Sequence, residues 1–292
     1  MKHARFALLA LPLLLAAGCA KPSQTPSLQD DADEIGAPSV SVHTFADKAD
    51  VRGSGGCEFS LTFPELTRPS AWNMDERPSD PVLDRANREI LRAYGLMSAT
   101  GTVVLNPDEV AAEFIDMCRS DLEDITRELG PEAIANMNYA DDSTFSIQLL
   151  TSSLASLTVE TYQYTGGAHG NSGMRALTLD MATGQKLTLG DVIKNDQLQS
   201  VMKSAYADIL KDYEDALYEE ARTEINAIVN DTSTMTAEQQ SEKFGSADHF
   251  FFTGDGMMLF WDVYEITPYV AGRQMVFFPW SKLEDKLLIK RP

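Results

Sequence analysis

Apolar and polar positions alternate with a changing period along this chain, and each change predicts an element. From Cys57 to Phe63 every second residue is apolar (Cys57, Phe59, Leu61, Phe63), the signature of a strand with one face in a core. Pro64 lacks a backbone N–H and predicts the strand's end. A period near 3.6 then takes over. Leu83, Ala86, Ile90 and Leu91 share one stripe of a helix over 81–94, with Asp80 as N-cap and Pro81 in its first turn. Val110, Phe114, Ile115, Cys118, Leu122 and Ile125 do the same for a helix that opens at Asn106-Pro107 and stops at Gly130-Pro131. The β-type pattern returns at 138–139, 144–151 and 154–164, where Phe145, Ile147 and Leu149 alternate, and again at 174–181. Met181-Ala182-Thr183-Gly184 reads as a hairpin turn, and 189–193 as a turn into a short helix. One long helix is expected over about 196–229. Leu210, Tyr213, Leu217, Ala221, Ile225 and Ile228 form its apolar stripe, with Asp215, Glu219, Glu220 and Glu224 outside. Residues 230–244 read as a polar loop. Strands follow at 249–253, 257–263 and 275–279, and a short helix over 281–288 ends the pattern. Halves rich in β pattern bracket the helices, so the expected class is α+β rather than a βαβ series.

The first residues break from this pattern in an informative way. Lys2 and Arg5 precede an apolar stretch, Phe6 to Ala17, which is right for a signal h-region and too short to span a bilayer. It ends Leu15-Ala16-Ala17-Gly18-Cys19, which looks like a bacterial lipobox. Residues 1–18 are therefore expected to be a lipoprotein signal peptide and Cys19 the lipidated N-terminus, with the membrane reached through that anchor. Ala20, rather than Asp, after the lipidated Cys points to the periplasmic face of the outer membrane if the host is Gram-negative. Residues 19–55 hold Pro, Gly, Ser and an acidic cluster (Asp30, Asp31, Asp33, Glu34), a composition expected to stay extended as a tether. The folded part is expected to divide into 56–150, with a strand and helices, and 151–292. Cys57 and Cys118 remain. In an oxidising compartment they can pair, or stay as two separate buried thiols; spacing alone leaves both open.

Charge narrows the partners. The chain has 24 Lys plus Arg against 44 Asp plus Glu, a formal net charge of −20. Loss of Lys2 and Arg5 with the signal lowers the basic count from 24 to 22 and gives −22 for the mature part. A surface this acidic is unsuited to neutralising phosphate backbones, so no nucleic-acid partner is expected.

The stretch Thr158-Val159-Glu160-Thr161-Tyr162-Gln163-Tyr164-Thr165-Gly166-Gly167-Ala168-His169-Gly170-Asn171 and the later Tyr264-Glu265-Ile266-Thr267-Pro268-Tyr269-Val270-Ala271-Gly272, followed by a last strand, together resemble the RsiV-like extracytoplasmic domain family. That domain ends the anti-sigma factor RsiV and accompanies some peptidoglycan deacetylases. The resemblance spans roughly 57–288 and is specific only after Thr158. It implies an antiparallel curved sheet packed against a long helix, here carried by a lipoprotein. It also implies a cell-envelope binding module, since in RsiV this module senses lysozyme. The departures are as telling. Only five residues precede the apolar run, so anti-sigma activity through a sigma-binding segment ahead of it is not expected. The deacetylases' separate catalytic domain, with its metal-binding Asp and His residues, has no counterpart among the four histidines here.

Candidate chemistry is sparse. No G-x-S-x-G, H-E-x-x-H, P-loop or dinucleotide fingerprint occurs, so no enzyme activity, metal or cofactor is expected. His169 follows two glycines and reads either as a ligand contact or as a turn histidine that Gly166 and Gly167 allow. Tyr164, Tyr264 and Tyr269 join it as candidate binding residues, Tyr264 and Tyr269 because turns at Pro268 and Gly272 interrupt their segment. Glu160, Asp180, Asp191 and Glu265 would need a defined separation to act as paired carboxylates, which sequence does not give. The expected partner is a protein or ligand of the envelope, with a basic lysozyme-type hydrolase as the favoured example. The alternative is a cell-wall glycan or peptidoglycan fragment, bound or modified.

Overall fold

The computed structural model describes residues 37–51, 55–68, 80–98, 100, 105–245 and 247–291. The signal at 1–18, Cys19 and the first part of the expected tether lie outside them. Among the described residues, nine strands form two sheets. The larger runs β1 (Ser39–Val51), β2 (Gly55–Thr67), β3 (Asn138–Leu150), β4 (Leu154–Tyr164), β5 (Asn171–Asp180) and β6 (Gln185–Lys186) in sequence order, all pairs antiparallel except β2 with β3. The smaller is the meander β7 (Phe250–Thr253), β8 (Gly256–Trp261) and β9 (Gln274–Pro279).

Two helices make the crossover between the parallel strands β2 and β3. In α1 (Pro81–Ala93) the Asp80 side chain accepts from the Val82 and Leu83 amides. In α2 (Pro107–Leu129) Asn106 accepts from Asp108 N. Both helices pack on one face of the larger sheet. Leu83, Ala86 and Ile90 of α1 meet Leu157, Val159 and Leu179. Phe114, Cys118 and Leu122 of α2 meet Cys57, Phe59 and Leu61. Here Cys57 and Cys118 are joined in a disulfide, with Cα atoms 6.0 Å apart and both residues buried.

The smaller sheet covers the other face of β4 and β5. Residues 154–159 are consequently buried without interruption, because both faces of β4 are covered. The polar residues on that inner face satisfy one another: Ser156 Oγ lies 2.8 Å from Thr178 Oγ1 and accepts from Phe252 N at 2.9 Å. Beyond the smaller sheet lies a helical layer made of α3 (Leu189–Val192), α4 (Leu198–Tyr213), α5 (Glu219–Asn230) and α6 (Ala237–Phe244). Val201, Ala205 and Ile209 of α4 pack with Phe252, Leu259 and Phe278. The short α7 (Trp280–Leu283) ends this layer. The fold is α+β, in the order helix, sheet, sheet, helix.

Five expectations need correction. The tether does not reach residue 55, because β1 occupies 39–51 and pairs with β2 along its whole length. Its sparse apolar residues (Val40, Val42, Phe45, Ala49, Val51) hid a strand whose backbone hydrogen bonds supply what its side chains do not. The boundary at 150/151 falls inside the β3–β4 hairpin, so one sheet spans both proposed parts. Pro64 does not end β2. It pairs with Val42, and strand β3 accompanies β2 only as far as Leu61, so the absent N–H leaves no strand partner unsatisfied. Two residues on, Asn87 replaces a strand neighbour, accepting from Leu66 N and donating to Leu66 O. Finally, the long helix is two helices. The chain turns at Glu214–Ala216 and becomes extended at Leu217, and Tyr218 N donates to Ile266 O at 3.0 Å. Part of the expected 230–244 loop is α6, whose Thr236–Gln239 capping box is complete.

Candidate functional site

Two loops from different sheets meet at one end of the molecule. The first joins β4 to β5 over 165–170. Gly166 and Gly167 have φ of 97° and 94°, so the expected unusual backbone is present, and Tyr164 Oη donates to Gly167 O at 3.0 Å. This geometry turns His169 outward. Its Nδ1 lies 2.8 Å from Gly170 O, which fixes that nitrogen as the donor and leaves Nε2 as acceptor in the neutral ring.

The second loop joins β8 to β9 over 262–273 and is held at several points. Asp262 accepts from Met174 N of β5 at 2.7 Å and pairs with Arg273 Nε at 2.9 Å, which ties the loop to the larger sheet. Glu265 accepts from Asp262 N at 2.8 Å. The buried Thr267 and Gln274 bond to each other at 2.8 Å, and Gln274 Nε2 donates to Gly272 O at 2.8 Å. Between these anchors Tyr264 takes φ 67°, a left-handed conformation that a non-glycine residue adopts at a cost of about 1–3 kcal/mol. The cost places its ring outside, at 47% exposure.

The loops bring His169, Tyr264 and Tyr269 into one cluster. His169 stacks on Tyr269 with ring centres 4.5 Å apart and planes 9° from parallel. Tyr264 lies 5.5 Å from Tyr269, and its hydroxyl is 3.5 Å from His169 Nε2. Tyr164 is not in this stack; it braces the glycine turn. Tyr162, 41% exposed, lies beneath Gly170, where an added Cβ would fall 2.4 Å from its ring. The remaining aromatics of these segments (Phe250, Phe252, Phe260, Trp261, Trp280) are core. The cluster therefore offers π faces and hydrogen-bonding edges on a braced surface, chemistry suited to contact with a partner.

Three of the four carboxylates serve turns and loops of their own. Asp180 accepts from Ala182 N and Thr183 Oγ1 in the hairpin turn, Asp191 accepts from Thr188 N, and Glu265 serves the loop just described. Among the described residues no group of three or more His, Cys, Asp or Glu is placed to hold a metal ion. Sequence reading passed over His249. It stacks on Phe260 at 4.9 Å and sits 3.3 Å from Glu265. That contact raises its pKa above the ordinary histidine value, outweighing burial, with Asp248 and Asp262 adding to the field. A histidine beside an acid and before an aromatic strand was the available signal.

Residues 207–281 match the family model described as Protein of unknown function (DUF3298), and residues 85–172 match that described as Deacetylase PdaC. His169 lies in the second matched segment and Tyr264 and Tyr269 in the first, so the cluster is where the two segments meet. No curated protein matches the chain. Among solved structures, a DUF3298-family protein of Bacteroides fragilis has the same fold, with a TM-score of 0.59 at 20% identity over 87% of this chain and 94% of its own. A DUF3298-family protein of Pseudomonas aeruginosa aligns with a TM-score of 0.48 at 15% identity over 85% of this chain and 94% of its own.

Proposed function

We propose that this chain is a cell-envelope binding module, lipid-anchored through Cys19, that recognises a protein partner through the His169–Tyr264–Tyr269 cluster and does not itself catalyse a reaction. The observation that carries the reading is Tyr264. A tyrosine held at positive φ by a braced loop, with its ring in solvent and not in the core, is strain retained for contact. The match of residues 85–172 to a deacetylase family supports an envelope-related role. Among the described residues no helix is long and apolar enough to cross a membrane, which is compatible with attachment by lipid. The net charge of −20 would steer a basic partner, and a lysozyme-type hydrolase is the favoured example.

The test is titration of lysozyme into the full chain in mild detergent at rising salt. Binding should weaken as salt screens the acidic surface. Tyr269→Ala should weaken it by about tenfold or more, the scale of an aromatic contact at the centre of an interface. Tyr264→Gly should lose binding while the fold holds or gains stability, because glycine takes positive φ without strain. Absence of binding at low salt refutes the lysozyme reading. Binding of peptidoglycan fragments instead, lost in the same variants, would move the assignment to glycan recognition, for which a flat stack of rings is also suited.

A further inference from the structure

A second concave site lies away from the aromatic cluster, in a cleft of about 390 Å³ between α1, β5, β6 and the residues just before β7. In a chain with many more acids than bases, three cations converge on it: Arg92, Arg175 and Lys186. Each is held in place. Arg92 pairs with Glu89 and donates from Nε to Ser98 O at 3.2 Å, and Lys186 pairs with Asp248 at 2.6 Å. Arg175 differs. It donates to the backbone carbonyl of Ala93 at 2.6 Å, at the C-terminal end of α1, and among the described residues it pairs with no carboxylate. Three cations thus face two carboxylates, and one positive charge is left over at a fixed guanidinium. His249, also on the wall, has its own carboxylate in Glu265.

We propose that this cleft binds the free carboxylate of a short peptide. The excess of one charge fits a monoanion. A phosphate dianion would overshoot it and meet Glu89 and Asp248. An arginine with a free edge is the side chain that recognises a carboxylate by two parallel hydrogen bonds. Ala93, Ala176 and Leu177 supply the apolar part of the lining, so the residue bearing the carboxylate has a small aliphatic side chain. Asp248 and Glu89 remain for amide N–H groups of the same peptide. The volume is at the small end of the ~300–1,000 Å³ of ligand cavities, room for a peptide end and not for a folded partner.

The probes are N-acetyl-alanyl-alanine, its C-terminal amide, and inorganic phosphate, titrated calorimetrically into the full chain in mild detergent at low salt. The acid should bind about tenfold or more tightly than the amide, the difference expected from a charge-assisted contact. Arg175→Gln should abolish that preference, with Arg175→Lys restoring part of it. Phosphate should compete more weakly than the acid. Lys186→Gln, which leaves α1 untouched, gives the same comparison if Arg175→Gln fails to fold. Equal binding of acid and amide, no binding of either into the millimolar range, or tighter binding of phosphate would each overturn the proposal. Tyr269→Ala should leave acid binding unchanged; loss there would also overturn the assignment to this cleft.

Discussion

Asp262 is the residue on which the exposed cluster should depend most, although it touches none of the three rings. Its carboxylate joins the β8–β9 loop to the larger sheet through Met174 N at 2.7 Å and Arg273 Nε at 2.9 Å. The pair is partly shielded, with Asp262 23% and Arg273 20% exposed. Asp262→Ala leaves the Met174 donor without its acceptor, at about 1–3 kcal/mol, and removes the partner of a partly buried guanidinium. A fully buried pair broken in this way costs ~3–5 kcal/mol, and access of water to a fifth of the surface argues for the lower end. About 3 kcal/mol is therefore expected in total, since the two losses share one carboxylate and do not add in full. For a domain of this size that corresponds to a fall in Tm of roughly 6–12 °C. Asp262→Asn keeps an acceptor for Met174 and loses only the charge, so it should cost about half as much. Urea denaturation gives the stability. Amide exchange at Met174 shows whether the loop detaches before the fold does. Were Asp262→Ala to move neither the midpoint nor the exchange of Met174, the idea that this carboxylate holds the loop in place would be wrong.

Two further outcomes follow from the same physical reasoning. Replacing both Cys57 and Cys118 by Ala removes a cross-link between positions 61 residues apart, whose chain-entropy value is about 4 kcal/mol; a urea midpoint unchanged from the parent would show that the bridge does not stabilise this fold. His249 has a folded pKa raised by Glu265, so its contribution to stability is fully present below the ordinary histidine value of about 6.5 and is lost as pH rises through the folded value. The parent should therefore lose stability relative to His249→Gln between mildly acidic and alkaline pH, by no more than the ~0–1 kcal/mol of an exposed pair. A difference between the two proteins that does not vary with pH would remove the pairing from the account.

Helices were legible where local chemistry specified them. Asp80-Pro81 and Asn106-Pro107 carry cap and first-turn signals that tertiary contacts do not contradict, and both helices begin there. Strand β4 was legible from the β-type pattern over 154–164. What sequence could not show were features whose cause lies elsewhere in the chain. The break between α4 and α5 has no glycine or proline; it exists because Leu217 is drawn into the core and Tyr218 N reaches Ile266 O. Strand β1 exists because β2 offers it thirteen partners, a fact absent from its own composition. Pro64 misled because a proline at a position with no strand partner on its N–H side does not end a strand. The candidate site shows the same division. His169, Tyr264 and Tyr269 were recognisable singly, from glycines and prolines beside them, whereas His249 carried no turn signal and gained its partner only through folding.

This division bears on how the surface works. No contact within either loop aligns His169 with Tyr269. Their relative position is set where the two sheets meet, by Phe252 N on Ser156 Oγ and by Asp262 on Met174 N. Both bonds are polar contacts in a largely apolar interface, and each fixes a register that apolar packing alone would leave free to slide. The stack of His169 on Tyr269 is thus a readout of sheet-to-sheet register, and substitutions at Ser156 or Asp262 reach it without touching a ring. The aromatic cluster, although built wholly from loops, is thus held across the two sheets, because the β8–β9 loop is bonded to the larger sheet and not only to its own strands.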